Sequence, residues 1–128
     1  MKGLTFDAVR ELGLKLPNTE EATAWGSPCL KVNGHMFCAM AINKSAEPNS
    51  LGLSCEFADR DALIAEQPDV YYTASHYETY PCVLVRLSRV KRDALDDLLR
   101  MAHRFVTTTK KPKRTVRSGS RAKKASSR

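Results

Sequence analysis

Apolar positions along the first hundred residues recur with two different periods, and the change from one to the other lays out the predicted elements. Phe6, Val9, Leu12 and Leu16 fall close to helical spacing. With Thr5 placed as an N-cap and Pro17 as a stop, residues 5–16 are predicted as a helix. Gly13 weakens it modestly. Two short β-prone runs then flank Asn33-Gly34. That dipeptide tolerates positive φ at both central positions, which predicts a hairpin closed by a type I′ turn. A two-residue turn sets Val32 opposite His35, Leu30 opposite Phe37 and Cys29 opposite Cys38. Leu30, Val32 and Phe37 then face the core.

Residues 43–50 are a loop by composition. Leu51, Leu53 and Cys55 alternate with Gly52, Ser54 and Glu56, the pattern of a half-buried strand. Asp59 is positioned to cap a short helix through residues 62–65, stopped before Pro68. Residues 70–73 read as extended. Residues 82–87 form the most apolar strand and are expected at the centre of the sheet. From Asp93 to Val106, Leu95, Leu98, Leu99, Ala102, Phe105 and Val106 make an apolar stripe with charges opposite. The predicted class is α+β: one domain, residues 1–106, built as an antiparallel sheet with helices packed on one side.

Charge changes the picture at the C-terminus. Residues 1–106 carry 12 Lys+Arg against 14 Asp+Glu, a balance of −2. Residues 107–128 carry nine Lys+Arg and no acid, a balance of +9 that turns the chain to its net +7. Lys110, Lys111, Lys113, Arg114, Arg117, Arg121, Lys123, Lys124 and Arg128 supply it. Eight Ser/Thr and almost no apolar residue accompany them, which predicts a disordered basic tail. Each phosphate such a tail neutralises releases a condensed counterion, so nucleic acid is the expected partner on electrostatic grounds. Solubility and a non-specific contact with RNA or ribosomes are the rival readings.

Asp7, Arg10 and Glu11 interrupt any secretory apolar stretch, and no run approaches the length of a membrane span. The expected location is the cytoplasm, where the four cysteines stay reduced. Their spacing matches no zinc module and contains no C-x-x-C pair, so neither a metal nor another cofactor is expected. Small buried hydrophobes are the plain reading of these thiols. Cys29 and Cys38, opposed on the hairpin, are the one pair within reach of a bridge.

His76, Tyr77, Tyr80 and Arg86 are the candidate site within the domain. An imidazole, two phenols and a guanidinium near the entry to a strand can hydrogen-bond and stack on a base or small anion. The competing reading is a packed corner fixed by Pro81. Trp25 can cover one end of the sheet, and Lys31 can add charge on the non-core side of the hairpin. No acid adjoins His76 in sequence, so no catalytic residues are assigned and the protein is read as non-enzymatic.

Three blocks carry a resemblance to a known family. They are Trp25-Gly26-Ser27-Pro28, the hairpin Lys31-Val32-Asn33-Gly34-His35-Met36-Phe37, and His76-Tyr77-Glu78-Thr79-Tyr80-Pro81-Cys82-Val83-Leu84-Val85-Arg86-Leu87. Together they resemble the YjbR/MmcQ-like family, over about Leu4 to Phe105. The resemblance implies a small α+β fold related to secretion-chaperone-like sheets, and a DNA-binding role assigned to members largely by fold comparison. The chain departs from the family pattern at Thr79, Cys82 and Leu30, where members commonly have Gly, Trp and an aromatic residue. The expected function is therefore nucleic-acid binding, DNA first, with weak sequence preference. The tail gives phosphate affinity and the region 76–86 gives orientation. A protein-interaction module using an open sheet face or edge is the first alternative. A small-ligand or enzyme site at His76, Tyr77, Tyr80 and Arg86 is the second.

Overall fold

The computed structural model describes residues 3–24 and 26–109. Helix α1 (Phe6–Gly13) leads into strands β1 (Thr19–Ala24), β2 (Ser27–Val32), β3 (His35–Met40) and β4 (Ser50–Ser54). Helix α2 (Phe57–Glu66), strands β5 (Tyr71–Tyr72) and β6 (Cys82–Arg86), and helix α3 (Arg92–Thr109) follow. The six strands form one antiparallel sheet in the order β1-β2-β3-β4-β6-β5. One sheet face, through Leu30, Val32, Phe37, Leu51, Leu53, Val83 and Val85, packs with α1 and α3 into the core. Leu63 and Ile64 of α2 lie against the same cluster. The predicted α+β class, with helices on one side, is the class found.

Local chemistry explains most boundaries. The Thr5 hydroxyl accepts from the Asp7 N–H at 3.3 Å and caps α1. The helix ends at Gly13 rather than at residue 16. A Cβ on Gly13 would overlap the Cδ1 of buried Leu30, so the glycine lets α1 lie close on β2. In α2, Glu56 takes the cap position and its carbonyl accepts from Arg60 N–H at 2.9 Å. Asp59 therefore sits in the first turn, where its charge meets the helix dipole, and does not cap. Helix α3 runs three residues past the expected end of the domain. The hydroxyls of Thr107, Thr108 and Thr109 fold back to the carbonyls of Arg104 and Phe105 at 2.6–3.1 Å. His103 joins layers: its ring meets Phe37 edge-on at 5.6 Å, and Nε2–H donates to the Pro17 carbonyl at 2.8 Å.

The hairpin turn forms as predicted, with φ of 53° at Asn33 and 84° at Gly34, and Val32 pairs with His35. Beyond Lys31 the expected register is overturned. A bulge between Leu30 and Lys31 gives Leu30 to Cys38 and Cys29 to Ala39. Phe37 becomes the extra residue, and Phe37 and Cys38 both join the core while Cys29 faces away. Cys29 and Cys38 are thus not opposed, and all four cysteines are free.

The sheet departs from the sequence pattern in two further places, for identifiable reasons. Strand β1 has no signature of its own in the sequence, because Thr-Glu-Glu-Ala-Thr-Ala has no apolar alternation. It is an edge strand, and polar residues suit an edge. Strand β6 is not central but lies between β4 and the short edge strand β5. Its unbroken apolar run reflects burial on both faces: Val83 and Val85 join the core, and Leu84, on the opposite face, is equally buried.

Candidate functional site

The segment between β5 and β6 is a chain of tight turns. Tyr77 N–H donates to the Ala74 carbonyl at 2.8 Å, Tyr80 N–H to Tyr77 at 3.1 Å, and Cys82 N–H to Tyr80 at 2.8 Å. These turns stack the rings of the predicted site. His76 and Tyr77 meet edge-on with centroids 4.9 Å apart, and His76 and Tyr80 lie 6.2 Å apart at a tilt of 50°. His76 is exposed, Tyr80 is 54% exposed, and Tyr77 is half-buried. Arg60 of α2 braces the segment: its guanidinium donates to the Glu78 carbonyl at 2.9 Å and lies 4.9 Å from the exposed Phe57 ring.

Arg86 does not join this corner. It sits at the far end of β6, about 13 Å along the strand from Cys82 at 3.3 Å per residue. There it grips Glu47 through two nitrogens, at 2.9 and 2.8 Å. It also donates to the carbonyls of Pro68 and Asp69 at 3.0 and 3.1 Å. The hydrogen bond from Arg86 holds the Glu47 carboxyl below its ordinary range, and the same bond to Glu47 raises the Arg86 guanidinium.

Residues 43–49 tie the two places together. The Tyr77 hydroxyl accepts from Asn43 N–H at 3.3 Å, and the Tyr72 hydroxyl accepts from Glu47 N–H at 2.8 Å. Tyr72 also shares a 2.5 Å hydrogen bond with the buried Ser50 hydroxyl. Tyr72, Glu47 and Ser50 escaped the sequence reading, because 22 to 39 residues separate these partners. The hydroxyls of Ser45 and Thr73 are buried nearby without a protein hydrogen-bond partner.

Lys31 is half-buried on the face away from the helices, in register with Glu20 on one side and Met36 on the other. A carboxylate thus flanks the one candidate cation of the hairpin. Trp25 and the nine tail cations from Lys110 to Arg128 lie outside the described residues. Within them, Arg10, Arg60, Arg86, Arg92 and Arg100 each bind an acid.

The described residues form grooves on the surface. One of about 490 Å³ lies between α2, β5 and α3, with Leu63, Tyr71, Leu98 and Met101 beneath and Glu66 and Asp97 at its rim. A polar one of about 420 Å³ adjoins Arg86, Glu47 and Arg89. Neither is lined by His76, Tyr77 or Tyr80. The thiols offer no activated nucleophile: burial raises all four, pushing Cys55 up to about 12 and Cys38 further. No group of three or more metal-ligating side chains forms among the described residues.

The fold and sequence have counterparts. A crystal structure of a Deinococcus radiodurans protein with a DUF419 domain matches with a TM-score of 0.69 and 23% identity, over 82% of this chain and 80% of that one. At that identity the likeness is one of fold. Uncharacterized proteins of Mycobacterium tuberculosis and Mycobacterium bovis are 47% identical over 38 residues, 30% of this chain. The matched stretch spans 30% of the length of each of these relatives. The YjbR family profile matches residues 14–105, from the end of α1 through most of α3. The chain belongs to the YjbR family.

Proposed function

We propose that this chain is a non-enzymatic, cytoplasmic nucleic-acid-binding protein that engages DNA with weak sequence preference, through the cations of residues 107–128. The observation that carries the reading is the division of charge. Nine cations and no acid follow Val106, against a balance of −2 before it. The ion pairs of the folded part sharpen the division. Five of its arginines are held by carboxylates, while the cations of the tail have no acid beside them in sequence. In this reading the tail gives sequence-independent phosphate affinity, and the exposed rings of His76 and Tyr80 give orientation. Among the described residues no helix is long and apolar enough to cross a membrane.

The test is a salt titration of binding to a short DNA duplex, comparing the full chain with one ending at Thr109. The full chain is expected to lose affinity steeply with salt, with a slope near −0.9 per phosphate neutralised. The shortened chain is expected to bind far more weakly with a shallow slope. Equal affinities would rule the reading out.

A second reading, a protein-interaction module, is favoured by the α2–α3 groove. It has an apolar floor, an acidic rim, and the short edge strand β5 beside it. A supporting result is a defined partner whose binding is lost on substitution of Leu63 or Met101 and is indifferent to nuclease.

A further inference from the structure

We propose that the α2–α3 groove docks the chain's own basic segment, residues 110–128, and releases it to a polyanion. The release rests on the nucleic-acid reading above; the docking does not.

The charges of the groove and the segment are complementary. Glu66 and Asp97 stand on the rim, and no lysine or arginine among the described residues lines the groove. Residues 56–69 and 92–97, which contain α2 and the start of α3, hold eight of the chain's 14 acids and only two arginines. Both arginines are engaged, Arg60 by Asp61 and Arg92 by Glu11 of α1. After Asp97 the sign reverses: no acid follows, and 11 Lys+Arg lie between Arg100 and Arg128. The groove therefore sits where the acidic part of the chain ends.

Shape and reach agree with charge. The floor of Leu63, Tyr71, Leu98 and Met101 suits the methylene stems of lysine and arginine, whose heads can then meet the rim carboxylates. The lining residues of α3, from Ala94 to Met101, lie about 12–22 Å back from Thr109 at 1.5 Å per residue. About seven extended residues cover that distance. A chain reversing after Thr109 thus brings Lys113 level with Met101 and Arg114 level with Leu98 and Asp97, and carries Arg117 past Ala94. Four cations remain beyond Arg117, enough for a phosphate backbone to make a first contact and peel the segment away.

The experiment follows the methyl NMR signals of Leu63, Leu98 and Met101. The full chain is compared with a chain ending at Thr109, which keeps every buried core residue. At about 0.15 M salt the signals are expected to differ between the two, by an amount independent of protein concentration. The difference is expected to vanish at about 1 M salt, where screening reaches about 3 Å, and in the full-length Glu66→Gln/Asp97→Gln variant. Adding a short DNA duplex is expected to return the full-length signals to those of the shortened chain. Identical signals at low salt overturn the docking. A difference that grows with protein concentration assigns the segment to a neighbouring molecule and overturns the intramolecular dock. A concentration-independent difference that duplex neither binds nor displaces upholds the docking and removes the nucleic-acid reading instead.

Discussion

The Arg86 guanidinium lies 4.2 Å from the centroid of the Tyr72 ring while two of its nitrogens hold Glu47. The ring is fixed in turn, because the Tyr72 hydroxyl binds Ser50 and the Glu47 N–H. Arg86 therefore joins residues 43–49, the turn before β5 and the last residue of β6 in one network.

Removing it is expected to destabilise the fold. In Arg86→Ala the carbonyls of Pro68 and Asp69 lose their donor, and the Tyr72 ring loses its cation. The Arg86 side chain is only 21% exposed, so water replaces it incompletely. A loss of about 2 kcal/mol is expected in denaturant unfolding. Arg86→Lys is expected to recover a minor part, because an ammonium cannot reproduce the two-pronged grip. An alanine variant as stable as the parent would show that the network is incidental.

The same pair sets a pH dependence. Arg86 holds Glu47 below its ordinary value of 4.5, so the pair's stabilising contribution is fully present above that value. It is lost as pH falls through the lowered folded value. Between neutral pH and about 5 the contribution is expected to be flat. Melting temperatures of the parent and of Glu47→Gln measured down the acid limb are expected to converge below pH 4.5. Curves that stay parallel throughout would assign the acid sensitivity to other carboxylates.

Thiol chemistry separates the observed hairpin from the simple one. With Cys29 beside Ala39 and Cys38 beside Leu30, a bridge requires the bulge to be undone. Mild oxidation of folded protein is therefore expected to leave four thiols countable after denaturation. Alkylation before denaturation is expected to be slow at all of them, Cys38 above all, where burial holds the thiol protonated. A bond mapped to Cys29 and Cys38 after oxidation would place the bulge in doubt.

Gly13 shows how a local rule misleads when the contact is distant. By propensity alone Gly13→Ala gains up to about 1 kcal/mol. The new methyl, however, falls on Leu30, which is fully buried and has nowhere to swing without disturbing the core. Overpacking of this kind costs about 1–3 kcal/mol, so a net loss is expected, read as a lower melting temperature. A stabilised variant would mean that α1 rides easily on β2.

What the sequence made legible was local or periodic. The Thr5 cap, the Asn33-Gly34 turn, the alternation of Leu51, Leu53 and Cys55, and the stripe of α3 each follow from neighbours within a few residues. The bulge at Leu30 changes which residues are paired without changing which are apolar, so hydrophobic pattern is nearly blind to it. Strand β1 was hidden because Glu21 spends its core-side position on Arg10 instead of on packing. The candidate site was read as one place because His76 and Arg86 stand close in sequence, yet strand β6 carries them apart. The residues that organise its Arg86 half, Glu47 and Tyr72, come from segments with no mutual signal.

Tyr77 and Tyr80 allow the aromatic corner to be tested apart from its packing. Tyr80 is 54% exposed and meets His76 at a tilt, so Tyr80→Ala is expected to change stability by less than about 0.5 kcal/mol. Tyr77 is half-buried, and its hydroxyl holds the Asn43 N–H. Tyr77→Ala is therefore expected to lower stability clearly, and Tyr77→Phe by about 1 kcal/mol or less. If the corner orients nucleic acid, stacking is worth about 1–3 kcal/mol per unpaired base. Tyr80→Ala is then expected to weaken the binding of the chain ending at Thr109 to short single-stranded DNA by tenfold or more, about 1.4 kcal/mol. Tyr77→Phe, which keeps its ring, is expected to leave that binding unchanged. Fluorescence anisotropy at fixed salt measures the affinities, and denaturant unfolding of the same samples measures stability. Weakening by Tyr80→Ala without a stability loss supports a stacking surface. Equal affinity of the parent and Tyr80→Ala would assign the corner to packing and leave the tail as the only reader of phosphate.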